Sequence, residues 1–292
     1  MIGLFRPREY YRPNNLSEAT RLLSSFGKKA KVIAGGTDLL ANKPSWVECL
    51  VDVVNLDLDY IRKDGDGISI GAATTVDAIE SSPILSSGYY AVLSEAAGIL
   101  ATPIVRNMAT IGGNICNASP AADLPLALMV LDSTVRAVGL SGSRILPISA
   151  FFEDVNKTAL NEDELLVEVH IPLSSGSAGS SFVKLRHHQT AVDIAIVNVA
   201  AKLTCSDNSC EDARIALGAV AKTPIYAKKA QRLLTGKRLD AELIQKAAEA
   251  AAEESRPIDD LRASTGYRRR MVPILVKRAL EVSVRRCRTW QN

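Results

Sequence analysis

A chain of 292 residues with 47% hydrophobic content is long enough for two or three domains, each burying its own core, and none of its apolar runs reaches the roughly 20 residues of a membrane span. Its 35 basic and 32 acidic side chains leave a net charge of +3, too balanced for a nucleic-acid surface, and 5% aromatic content is too little for base stacking. The opening MIGLFRPREYYRP has no apolar stretch of the signal-peptide kind, so a cytoplasmic location is expected.

Cysteine and histidine are scattered. The five cysteines, Cys49, Cys116, Cys205, Cys210 and Cys287, form no even-numbered framework and read as reduced thiols. Cys205 and Cys210 have the spacing that opens a plant-type ferredoxin signature, but the next ligand position is Ala213. His170, His187 and His188 make no metal-binding pattern. Neither a cluster nor a metal site is expected.

In chain order, Phe5 to Tyr11, ending at Pro13, predicts an edge strand. Leu16 to Leu23 has apolar residues at helical spacing behind Asn15 or Ser17 as cap. A strand at KVIAG and another around Val51 to Val54 complete a small parallel α/β unit. From Asp57 the texture changes: Asp64-Gly65-Asp66-Gly67 predicts a hairpin between a strand near Tyr60 and one at Ile68 to Gly71. Thr75 caps a helix from Val76, a second helix runs from Ala91 to Leu100, and Leu124 to Leu131 is a helical or buried apolar run. Thr134 to Val138 reads as a strand, and Ile145 to Phe152 leads to a further strand, ELLVEVHIPL, that closes at Pro172.

Ser174 to Ser181, SSGSAGSS, has the composition of a linker. It separates residues 57–173 from 182–292, with 1–56 as the first unit. Beyond it FVKLR, IAIVNVAAKLTC and ARIALGAVA read as a strand meander, and the remainder as helix. Arg268, Arg269, Arg270, Lys277, Arg278, Arg285 and Arg286 give the last helix a charge pattern that suits either a solvated face or a partner surface.

Two glycine pairs carry the chemistry. In KVIAGGTDLL an apolar run ends at Gly35-Gly36, followed by Thr37 and Asp38; side-chain-free backbone after a strand exposes N–H groups that can cradle a phosphate without lysine. In RNMATIGGNICNASPAADLP a second pair, Gly112-Gly113, sits between Ile111 and Asn114 in a stretch of small residues. A glycine pair there serves a tight turn or a close approach, and two such turns could grip one extended ligand. The GxGxxG dinucleotide fingerprint is absent.

Together IAGGTDLL, RNMATIGGN and SPAADLP resemble the FAD-binding medium subunit of the molybdenum hydroxylases, the xanthine dehydrogenase and carbon monoxide dehydrogenase type, and the likeness runs from Phe5 to the C-terminus. The resemblance implies an α+β chain: a two-domain FAD-binding fold of the vanillyl-alcohol oxidase type plus a C-terminal α+β domain with an antiparallel sheet and helices. By motif, Ile33, Ala34, Gly35, Gly36, Thr37 and Asp38 match the loop that holds the FAD pyrophosphate. Thr110, Ile111, Gly112, Gly113 and Asn114 match the loop near the flavin half, Asp123 the acidic contact, and Leu166 and Lys184 further contacts. Leu100 stands where the family often has an aromatic neighbour of the cofactor. Read from the residues alone, Lys184 also suits a surface charge and Asp123 a helix cap before Leu124-Pro125.

The resemblance further implies an oxidoreductase subunit without catalytic or metal-ligating residues of its own. It would pass electrons from two [2Fe-2S] clusters on a small subunit to NAD, oxygen or a quinone, beside a molybdopterin-containing large subunit that selects purine, carbon monoxide, aldehyde or N-heterocycle. Two other readings stand beside it: a self-sufficient flavin oxidase, which the short chain and missing aromatic cap disfavour, and a cofactor-free interaction protein in which the glycine pairs are only turns.

Overall fold

The computed structural model describes residues 5–174, 176–186, 194–206 and 209–289; His187 and His188 lie outside them. Strands β1 (Glu9–Tyr11), β2 (Ala30–Ile33) and β3 (Cys49–Asp52) form an all-parallel sheet with β3 in the middle and β1 at one edge. Asn15 accepts a hydrogen bond from the N–H of Glu18 at 2.9 Å and starts α1 (Leu16–Phe26), whose Ala19 and Leu23 pack on Cys49, Val51 and Val53. A single turn, α2 (Leu39–Asn42), follows β2.

The second unit is built on an antiparallel sheet. The hairpin β4 (Ile61–Lys63) and β5 (Gly67–Gly71) closes with Ile61 opposite Ile70, and the Asp64 carboxylate accepts from the N–H groups of Asp66 and Gly67 in its turn. With β6 (Thr134–Gly139), β7 (Gly142–Pro147) and β10 (Leu165–Pro172) it gives the order β4-β5-β10-β6-β7, while β8 (Phe152–Asp154) and β9 (Lys157–Thr158) pair separately. Thr75 caps α3 (Val76–Ser81), and α4 (Ala91–Gly98), α5 (Pro103–Arg106), α6 (Ile111–Cys116) and α7 (Leu124–Val130) complete the layer. Every residue of α7 is buried. Its lack of a polar face left helix and strand equally open in the sequence, and Pro125 in the first turn costs a helix no hydrogen bond.

Strand β10 joins the two units. Leu165 and Val167 enter the core around α1, whereas Leu166, Val169 and Ile171 enter the core of the second unit. A register shift between Leu166 and Glu168 opposite β6 re-aims the side chains, as a bulge does.

In the C-terminal part, β11 (Ser177–Arg186), β12 (Ala195–Ser206) and β13 (Ser209–Gly218) form an antiparallel meander, with β14 (Ile225–Tyr226) and β15 (Lys237–Arg238) both pairing β13. Helices α8 (Lys228–Leu234), α9 (Ala241–Glu254) and α10 (Thr265–Thr289) cover one face. The other face adds Phe182, Ala200 and Ala216 to the core of the second unit, while the C-terminal part keeps an apolar cluster of its own beneath its helices.

The stretch expected to be a linker is strand from Ser177 onward. Ala178, Ser180 and Ser181 are buried, and a Cβ on Gly179 would stand 2.1 Å from the Ser283 carbonyl oxygen of α10. Small residues are there because a helix backbone lies against the strand, not because the chain must flex. Two of the basic residues of α10 are held by the rest of the chain: the buried Arg268 donates to the carbonyls of Ile196 and Ala219 and pairs with Asp260, and the partly exposed Arg286 donates to Ser180 and pairs with Glu95. Arg269, Arg270, Arg278 and Arg285 are exposed. Among the described residues no helix is long and apolar enough to cross a membrane.

Candidate functional site

The first glycine pair ends β2. The N–H of Val53 donates to Ile33 at 3.1 Å and holds the strand end, after which Ala34 and Gly35 leave the sheet and Gly36 turns at φ +67°. That left-handed conformation favours glycine. Gly35 is constrained differently: a Cβ there would stand 1.6 Å from the carbonyl oxygen of Met108. The first glycine pair is therefore pressed against the segment leading into the second.

Leu40 donates its N–H to Gly36 at 2.9 Å, which starts α2. The N–H groups of Gly35, Gly36, Thr37 and Asp38 donate to no acceptor among the described residues. Consecutive undonated amides at a helix start carry partial positive charge and suit an anion. The Asp38 side chain makes no capping bond, and burial among its neighbours pushes its carboxyl above the usual range.

The second pair has a different architecture from the turn expected of it. Thr110 accepts from the N–H of Gly113 at 3.1 Å and caps α6, which contains both glycines. Ile111 donates to Thr74 and Gly112 to Ala72, at 3.0 and 2.9 Å, and Asn114 donates to Thr110. All four N–H groups are thus spent inside the protein, and this stretch offers no backbone nest. Gly112 is required because a Cβ would stand 2.6 Å from the Ala72 carbonyl oxygen. Gly113 is exposed, and the nearest atom to a Cβ there is the Thr110 hydroxyl at 3.0 Å. What α6 offers a ligand is a bare, flat surface at Gly113 and the Asn114 side chain, whose Oδ1 is buried and has no partner. Such an orphan is costly unless something bonds it.

Asp123 and Lys184 meet across 61 residues of chain, Lys184 Nζ donating to Asp123 Oδ2 at 2.6 Å with side chains 5% and 4% exposed. Asp123 precedes α7 without capping it. Asn198 Nδ2 donates to the other carboxylate oxygen at 2.8 Å and to the Ala122 carbonyl at 3.2 Å. Lys184, Asn198 and Gly218 lie in register across β11, β12 and β13, and a Cβ on Gly218 would come within 2.3 Å of Asn198 Oδ1. Burial pushes the Asp123 carboxyl up, while Lys184, Asn198 and Arg186 pull against that shift. Sequence reasoning missed Asn198, although one amide inside the apolar run IAIVNVAAKL signals a buried polar partner.

The remaining residues play supporting parts. Leu166 is 3% exposed in the core with Ile111 and Ile115, so it underlies α6. Leu100 is half-buried after α4, and its carbonyl accepts from Arg106 Nη1 at 3.2 Å, while Arg106 pairs with Glu80 at 2.6 Å. Cys116 ends α6; although it keeps some surface, burial pushes its thiol up to about 12, leaving it protonated and poorly nucleophilic at neutral pH.

Known proteins match the chain over nearly its whole length. Residues 5–174 match the family described as the FAD binding domain in molybdopterin dehydrogenase, and residues 181–282 match the CO dehydrogenase flavoprotein C-terminal domain. The carbon monoxide dehydrogenase medium chain of Hydrogenophaga pseudoflava is 34% identical over 96% of this chain and 98% of its own. The putative xanthine dehydrogenase FAD-binding subunit of Escherichia coli K12 is 30% identical over 96% and 97%. Among solved structures, carbon monoxide dehydrogenase from Hydrogenophaga pseudoflava superposes with a TM-score of 0.92 at 34% identity, covering 98% of this chain and 100% of that one. Quinoline 2-oxidoreductase from Pseudomonas putida 86 gives 0.87 at 29% identity, covering 95% and 97%.

Proposed function

The chain belongs to the family of FAD-binding medium subunits of the molybdenum hydroxylases, and from that premise we propose that it is the electron outlet of such an enzyme, receiving electrons from [2Fe-2S] clusters on a small partner subunit and delivering them to NAD, oxygen or a quinone. Its fold is the two-domain FAD-binding fold with a C-terminal α+β domain, and its cofactor is FAD. A large molybdopterin-containing partner selects the substrate, and the complex works in the cytoplasm.

The observation that carries the reading is the run of undonated amides at Gly35 to Asp38, locked by Gly35 against Met108. FAD presents a pyrophosphate, a hydroxyl-rich chain and a flat ring. The amides of Gly35 to Asp38 would hold the pyrophosphate, the bare surface at Gly113 would admit a flat group, and Asn114 Oδ1 would accept from a ligand donor. These residues fit the group. Thr37 would add a hydroxyl, and Lys184 would offset negative charge within a pair already held by Asp123 and Asn198. Thr110, Ile111 and Gly112 shape α6, with Leu166 beneath it and Leu100 at the end of the neighbouring helix. FAD accepts single electrons and releases a pair, which suits a junction between one-electron clusters and a two-electron acceptor.

Affinity isolation of the native complex followed by metal analysis tests the reading. Iron and molybdenum with FAD in the same particle support it; a yellow protein free of both metals supports a self-sufficient oxidase and overturns it.

A further inference from the structure

The C-terminal sheet and α10 bring two cysteines together at a place unconnected with the glycine stretches. Because Gly179 has no side chain, α10 lies directly on β11: a Cβ there would stand 2.5 Å from the backbone nitrogen of Cys287. Ser177 Oγ donates to the Cys287 carbonyl at 2.7 Å, and Cys287 Sγ in turn contacts the carbonyls of Ser177 at 3.1 Å and Leu203 at 3.4 Å. Cys205 lies opposite Ser177 on β12, beside a register shift, and its thiol hydrogen-bonds the Cys287 sulfur.

Access divides the pair. Cys287 is 1% exposed, whereas Cys205 is partly open to solvent. Cys210, the neighbour of Cys205 on β13, is fully buried, donates to the Asp212 carbonyl at 3.3 Å and has its thiol pushed up to about 12 by burial. The hydrogen bond from Cys205 draws the Cys287 thiol below the ordinary range, to about 7, with the amides of Gly179 and Cys205 adding to it against the cost of burial. Thiolate character is therefore available between two sulfurs already in contact, one of which a small oxidant can reach.

We propose that Cys205 and Cys287 are a redox-modification site that takes a hydroperoxide and closes to a disulfide, fastening the end of α10 to β12. Cys205 passes its proton along the hydrogen bond to the Cys287 thiolate, and its solvent-accessible sulfur, now the thiolate, attacks the peroxide: an S–O bond forms, the O–O bond breaks and water, or the corresponding alcohol, leaves. Cys287 then attacks the sulfenic sulfur, an S–S bond forms and the second oxygen departs as water. Two thiols are oxidised, one hydroperoxide is reduced, and no other reactant is needed. Closure takes the sulfurs from hydrogen-bonding contact to a bond of about 2.05 Å, a small movement for a side chain at a strand end.

The test treats the purified full chain, in its complex, with hydrogen peroxide, blocks remaining thiols, and maps the cysteines by mass spectrometry without reduction. The expected product is an intramolecular Cys205–Cys287 link, two hydrogens lighter than the dithiol, reopened by dithiothreitol and raising the thermal midpoint of the oxidised protein. In Cys205→Ser this link and its stabilisation are lost while the untreated variant unfolds like the parent. A link from Cys205 to Cys210, a link between molecules, sulfinic acid at Cys205 with Cys287 unmodified, or two intact thiols would each overturn the proposal.

Discussion

Lys184 and Asp123 form an ion pair of 2.6 Å that is almost wholly buried and joins the meander β11–β13 to the start of α7. Neither charge has water to fall back on, so each is tolerated because the other is present. Removing one member of such a pair costs about 3–5 kcal/mol, whereas replacing both by apolar groups is often close to neutral. Lys184→Met should therefore lose about 3 kcal/mol in denaturant unfolding, and Asp123→Leu/Lys184→Met should recover most of it. Equal losses in the single and double variants would mean that the pair is not coupled.

The same pair sets a dependence on pH. Burial, the largest influence on Asp123, raises its carboxyl above the ordinary value in the folded protein. A carboxyl with a raised folded pKa binds its proton more tightly folded than unfolded, so its contribution to stability is present in acid and is lost as pH rises through the folded pKa. Removing Lys184 takes away the main opposing charge and raises that pKa further. The stability deficit of Lys184→Met should be larger at pH 8 than at pH 5, as measured by urea midpoints; a deficit that grows towards acid would contradict this assignment.

Gly35 and Gly113 should fail in different ways. Gly35→Ala places a methyl group 1.6 Å from the Met108 carbonyl oxygen, so backbone must move and the folded protein should lose several kcal/mol, about the scale of severe overpacking. At Gly113 the backbone is helical and the surface open, and alanine raises helix propensity by about 1 kcal/mol. Gly113→Val should keep the thermal midpoint of the apoprotein near that of the parent while raising the FAD dissociation constant at least about tenfold, or about 1.4 kcal/mol. Calorimetry and flavin titration separate the two; a folded Gly113→Val chain that binds FAD as tightly as the parent would remove α6 from the site.

Asn114 Oδ1 is a buried acceptor with no partner in the protein. Asn114→Leu should leave the apoprotein as stable as the parent or slightly more so, since an unsatisfied polar atom is removed. FAD affinity should fall by about 0.5–1.5 kcal/mol, the ordinary worth of one hydrogen bond. Unchanged affinity would show that the amide does not meet the cofactor.

Burial holds the Cys116 thiol at about 12, which keeps it protonated at neutral pH. Acid precipitation of the FAD-loaded protein should therefore leave all of the yellow colour in the supernatant. Flavin retained in the pellet and mapped to a Cys116 peptide would show a covalent link.

What the sequence by itself determined is local. Asn15 and Thr75 cap helices through bonds that span three residues, and the hairpin at Asp64 to Gly67 closes on its own turn, so residue order is enough to find them. The end of β2 at Gly35-Gly36 is legible in the same way, and the motif resemblance carried the family. Tertiary structure decided what each small residue is for. Gly35 is glycine because of Met108, Gly112 because of Ala72 and Gly179 because of Ser283, each contact made by backbone far away in the chain. The composition that suggests a linker at 174–181 and a tight turn at Gly112-Gly113 records only that bulk is missing. Whether that space admits a helix, a strand or a ligand depends on what the folded chain brings there. Asn198 and Lys184 converge on Asp123 for the same reason, since only the pairing of β11 with β12 puts their side chains at one carboxylate.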